Sequence, residues 1–144
     1  MKSLLLLALL VPQLALAEQP PLGDTTAYRN LLVYAEENGI NVADMDTTCN
    51  EEECFTGLAS DINVFVSREI SPDQRVCVLA HELTHAIVHR GTYITREQAD
   101  REGRVVASLV CTHLGYTSYD IGTSKGAITS SLLRFASLLS NIAS

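Results

Sequence analysis

Five consecutive residues, His81-Glu82-Leu83-Thr84-His85, carry the clearest chemistry in this 144-residue chain. On a helix, residues four apart project from one face, so the two imidazoles can close on a single zinc ion. Glu82, one position along, points beside the ion, where it can take a proton from a water that the metal activates. The flanks are apolar, Val78-Leu79-Ala80 before and Ala86-Ile87-Val88 after. Two histidines and a carboxylate in such a stretch are costly unless something satisfies them. A surface helix carrying the three by chance fits those flanks poorly.

A catalytic zinc site needs a third protein ligand and keeps its fourth position open. His89 continues the four-residue series but lies about 12 Å along the helix axis from His81, too far for one tetrahedral ion. A metzincin spacing fails as well, because Val88 and Gly91 occupy its glycine and third-histidine positions. Glu97, Asp100 and Glu102 on the following helix remain. In a short-turned antiparallel hairpin, His85 lies level with Glu102, which brings Cys77 level with Val110, beside Cys111. Glu102 and Asp100 border opposite edges of the stripe of Ala99, Gly103, Val106, Ala107 and Val110, so height must choose between them. Asp100 falls level with Ile87, beyond both histidines, and Glu97 is lower still and turned away. Height therefore selects His81, His85 and Glu102 as the metal set.

The elements that position these residues are well marked. Ser71-Pro72-Asp73-Gln74 is a capping box with Pro at the first helical position, and Gly91 stops the helix after Arg90. Thr95 to Gln98 repeats the pattern for a helix that stops at Gly115. The few residues between them predict an antiparallel hairpin. Upstream, Asp24 can cap a helix bearing Tyr28, Leu31, Leu32 and Ala35, with Asn38-Gly39 as its stop. Ile40 to Ala43 and Ile62 to Val66 read as short strands. A final amphipathic helix aligns Ile128, Leu132, Phe135, Ala136 and Leu139.

Composition limits the function classes. At 47% hydrophobic the chain can bury a core, and its net charge of −7 offers nothing to neutralise phosphates, so no nucleic-acid partner is expected. Lys2, the apolar run Leu4 to Val11 and the Ala15-Leu16-Ala17 site read as a signal peptide over residues 1–17, leaving one domain at 18–144. The run is too short to span a membrane, so no stable insertion is expected after cleavage. Export to a secreted or periplasmic location makes the even count of four cysteines a disulfide signal. Cys49–Cys54 would close the acidic loop, and Cys77–Cys111 would join the two hairpin helices. No Cys-x-x-Cys pair exists to build a cysteine zinc site.

From Ser71 to about residue 119 the chain resembles the ImmA/IrrE-type zinc metallopeptidases and the zincin domain of ArdC-like antirestriction proteins. The resemblance rests on Val78-Leu79-Ala80-His81-Glu82-Leu83-Thr84-His85-Ala86, on Val106-Ala107-Ser108-Leu109-Val110-Cys111 and on His113-Leu114-Gly115. It implies an α+β, zincin-like domain with a metal-binding helical hairpin packed on a small β-sheet. It also implies one zinc ion held by His81, His85 and Glu102, with Glu82 as general base. Where the family has Ala and then an acid or Asn after the ligand Glu, this chain has Gly103 and Arg104. The DNA-binding segment that accompanies ArdC-like domains has no counterpart here, so an antirestriction role is not expected.

The resulting expectation is a secreted zinc-dependent peptidase acting on peptide or protein substrates. The substrate would pair along the edge of the Ile62–Val66 strand, as β-addition allows. Tyr93, His113 and Tyr119 are candidates for stabilising the oxyanion. Two other readings stand beside it, an exported zinc-binding interaction module without turnover and a disulfide-stabilised structural protein in which the motif is a relic.

Overall fold

A computed structural model describes residues 25–116 and 128–144. The signal-peptide segment, the Asp24 cap and Tyr119 lie outside the described residues. The first helix, α1 (Thr26–Glu37), is capped by Thr25, whose hydroxyl accepts the Tyr28 N–H at 3.1 Å. It buries Ala27, Tyr28, Leu31 and Ala35. The chain then turns at Asn38-Gly39 into β1 (Asn41–Met45).

A small hairpin follows, β2 (Thr48–Cys49) against β3 (Cys54–Phe55), closed by the Cys49–Cys54 disulfide. Within its acidic tip, the Asn50 carboxamide oxygen accepts the N–H groups of Glu52 and Glu53, each at 2.8 Å. Next come β4 (Gly57–Ser60) and β5 (Asn63–Ser67), joined through Asp61 at φ +53°. The main sheet has the order β1-β5-β4, with β1 parallel and β4 antiparallel to β5. The strand read at Ile62–Val66 is therefore the central one, paired on both sides. Its edges are occupied, which overturns the expectation that a substrate pairs along it. Among the described residues the free edges belong to β1 and β4, and β4 packs beside the helices; its Gly-Leu-Ala-Ser sequence lacks the β-branched residues that signal a strand.

Helix α2 (Pro72–Leu83) has the expected capping box. Ser71 Oγ accepts from the Gln74 N–H at 3.3 Å, and Gln74 Oε1 accepts from the Ser71 N–H at 3.2 Å. It packs on β5 and β4 and buries every residue from Val76 to Leu83. Thr84–Val88 then widens into a π turn, with the His89 N–H reaching five residues back to the Thr84 carbonyl at 3.1 Å. The chain turns at Gly91 (φ +70°) into α3 (Arg96–His113), capped by Thr95.

Only half of the second capping box forms. Thr95 accepts the Gln98 N–H, but the Gln98 side chain turns to Glu102 instead. The Cys77–Cys111 disulfide pins α2 to α3, so both cysteine pairings read from the sequence are present. The last helix, α4 (Ser130–Ala143), lays Leu132, Phe135, Ala136 and Leu139 against α1 and α3. Among the described residues, four α-helices around small sheets make an α+β domain, with the helical hairpin seated on the sheet.

Candidate metal centre

The α2–α3 hairpin brings three ligand atoms together. His81 Nε2 stands 2.9 Å from His85 Nε2 and 3.3 Å from an Asp100 carboxylate oxygen, and the three ligand atoms lie within 4.8 Å of one another. Around one tetrahedral zinc, ligand atoms at bonds of ~2.0–2.2 Å sit roughly 3.3–3.6 Å apart; the His81–Asp100 edge has that size, and the two imidazole nitrogens would part by a few tenths of an ångström to take the ion. Two imidazoles and a carboxylate are also an ordinary donor set for zinc in a site that keeps an open position.

Of the expected trio, His81 and His85 are brought together and Glu102 is not. Glu102 turns to the other edge of α3, where it meets His89 Nε2 at 2.8 Å. The reason lies in how closely the helices pack. Gly103 sits beneath His81, and a Cβ there would come within 3.1 Å of Nε2 and 3.2 Å of two ring carbons. With Gly103 under the first histidine, Asp100 and Glu102 flank the contact on opposite sides. Their side of α3 then decides which histidine each reaches, and height along the hairpin does not.

Electrostatics prepare the histidines to ligate. Burial, and then the neighbouring His85, hold the His81 pKa down at about 4, and burial lowers His85 as well, so both are neutral near pH 7. Partial burial alone would raise the Asp100 pKa. Its hydrogen bond from Arg104 and the charges of His81, Arg104 and His85 outweigh that, and the net shift is downward. Asp100 thus stays ionised beside two neutral imidazoles.

Glu82 lies on the same turn of α2 and is 7% exposed. Burial and, second, the Asp100 charge push its pKa up to about 8. A divalent cation alongside would reverse that pressure. Gly57 of β4 lets the strand backbone come down onto this carboxyl: a Cβ there would meet Val78 Cγ1 at 2.5 Å and Glu82 Oε1 at 2.6 Å. Nothing in the sequence pattern flags Gly57, because its requirement comes from a residue 25 positions away. Above these groups opens a cleft of about 590 Å³, lined among others by Phe55, Gly57, His81, Glu82, Asp100 and Arg104.

Of the oxyanion candidates, the two among the described residues lie away from the cleft. Tyr93 is fully exposed in the hairpin turn, and His113, at the far end of α3, bonds Ser144 Oγ at 3.1 Å.

The model of the Peptidase_M78 family, the IrrE N-terminal-like domain, matches residues 35–108, just over half of the chain. The chain belongs to this family. The matched span runs from the end of α1 through β1, the sheet and α2 into α3, so it contains His81, Glu82, His85, Asp100 and Glu102. Membership in the Peptidase_M78 family suggests a zinc metallopeptidase, and the His81, His85 and Asp100 group is a candidate site for the ion. No curated protein and no solved structure matches the chain.

Proposed function

We propose that this protein is an exported zinc-dependent peptidase whose metal is held by His81, His85 and Asp100 and whose general base is Glu82. The observation that carries this reading is the convergence of two imidazole Nε2 atoms and the Asp100 carboxylate beside a buried carboxyl at the base of an open cleft. A bound zinc would supply Lewis acidity, polarising a scissile carbonyl and easing loss of a proton from water. The remaining work falls to the chain's own groups. Glu82 accepts the proton of the attacking water and returns it to the departing amine. Arg104 keeps Asp100 ionised and oriented.

An extended peptide is the substrate form that suits the cleft, with the free edge of β4 offering backbone hydrogen-bonding groups next to Glu82. Two disulfides, one of them across the metal-bearing helices, together with the leader-like first 17 residues, favour a secreted or periplasmic location. No described helix is long and apolar enough to cross a membrane.

The test is a peptide-library digest comparing the wild-type protein with Glu82→Gln at matched zinc occupancy. Glutamine keeps the size and polarity of the side chain but cannot take up the proton, so cleavage should fall by about 10²–10⁴-fold while zinc is retained. Equal cleavage by the two proteins would remove Glu82 from the chemistry. Cleavage by neither would leave a zinc-binding module in place of an enzyme.

A further inference from the structure

The geometry points to His89 and Glu102 as positioning residues that fix the ring of His85 toward the metal; the inference rests on the ligand set proposed above. His85 turns Nε2 toward His81, which leaves Nδ1 facing away from the ligand cluster. There it stands 3.3 Å from Nδ1 of His89. The other nitrogen of His89 lies 2.8 Å from Glu102 Oε2, and the second oxygen of that carboxylate accepts from Gln98 Nε2 at 3.0 Å. The His89 side chain is only 8% exposed and that of Glu102 21%, so the chain of contacts is largely screened from water.

The protons in this chain can be placed from one fixed end. With one proton on the His89 ring, the 2.8 Å contact to the Glu102 oxygen places it on Nε2. With that single proton on Nε2, His89 Nδ1 is bare and accepts the Nδ1–H of His85, whereas a second proton on His89 would reverse the contact. That leaves the lone pair of His85 on Nε2, the atom facing His81 and Asp100. A carboxylate thus selects the tautomer of a metal-facing imidazole through an intervening histidine. Outer partners of this kind orient a metal-binding ring and raise its basicity.

The π turn makes the relay reachable. By widening the helix after His85, it sets His89 so that its ring lies against His85 on one side and Glu102 on the other. Gln98, released from the capping box, holds the carboxylate from behind.

The inference is tested on the full mature chain with histidines labelled in nitrogen-15. Long-range proton–nitrogen correlation on chelator-treated protein reads the tautomers, and chelator competition reads zinc affinity. In the wild type, His85 should carry its proton on Nδ1 before any metal is added. Glu102→Ala should shift His85 toward the Nε2–H form and weaken zinc binding by about 10–100-fold without abolishing it. His89→Phe keeps the buried volume but offers no acceptor, and it should do the same. Glu102→Gln, which retains an acceptor oxygen, should restore the wild-type tautomer.

Three results would overturn the inference. They are an Nε2–H tautomer for His85 in the wild type, an unchanged tautomer and affinity in both disrupting variants, and complete zinc loss in Glu102→Ala equal to that in His81→Ala. The last would make Glu102 a ligand. Should the wild type bind no zinc, the proposed function fails, while the metal-free tautomer still decides the relay.

Discussion

Replacing Glu82 by Gln should stabilise the metal-free protein, by an amount that depends on pH in a defined way. In the folded state the Glu82 pKa is raised from 4.5 to about 8, first by burial and second by Asp100. Between those values the folded chain holds a proton that the unfolded chain has released, so stability declines as pH rises through the interval. Below pH 4.5 both states are protonated and Gln closely mimics the neutral acid, so the two proteins should match. At pH 7 the charge-burial cost absent from the variant is on the order of 3 kcal/mol, from about 1.4 kcal/mol per pKa unit. For a domain of this size that is a rise in melting temperature of roughly 10 °C. The assay is thermal unfolding of chelator-treated wild type and Glu82→Gln at half-unit steps from pH 4 to pH 8.5. Saturating zinc should shrink the gap, since a neighbouring dication favours the charged carboxylate. Superimposable pH profiles for the two metal-free proteins would refute the reasoning, because Glu82 would then ionise as freely as in water.

Asp100→Ala should abolish stoichiometric zinc binding, whereas Glu97→Ala, an exposed site in the cleft wall, should retain it; metal analysis of the purified variants decides. Gly57→Ala should cost about 1–3 kcal/mol of stability by overpacking Val78 and should depress peptide cleavage more than zinc affinity, because the atoms nearest its Cβ belong to Val78 and Glu82. In metal-free Glu82→Gln, where the opposing Glu82 contribution is gone, stability should fall as pH drops from 6.5 toward 4, because unfolding lets the buried neutral His81 take a proton; zinc, by holding the ring nitrogen, should steepen that loss. Acid titrations with and without metal read both effects.

Local signals in the sequence carried much of this architecture. Ser71, Pro72 and Gln74 mark the start of α2, Thr95 the start of α3, and the glycines their ends, and each is satisfied by atoms within a few residues of it. The two cysteine pairings also followed, because 77 and 111 sit at matching heights on the packed helices. What escaped depends on contacts between distant segments. Counting height along two ideal helices assigns Glu102 to His85, but the close fit of Gly103 under His81 and the widened turn after Leu83 make the side of α3 decisive. The central place of β5 was equally out of reach, since β4 carries too little strand character to reveal that it covers an edge. Distance from His81 keeps His89 from being a ligand, and that distance is what frees it to bond outward from His85.

The Cys77–Cys111 link has a consequence for durability among proteases. Every group assigned to the metal or its support, from His81 to Glu102, lies within the loop it closes. One exposed stretch of that loop is the turn at Gly91 to Tyr93. A nick there, by a foreign enzyme or by another copy of this one, yields two fragments that remain a single covalent particle. Both metal-bearing helices keep their partner across the bond. Such a nicked form migrates as one species until reductant is added, then separates in two.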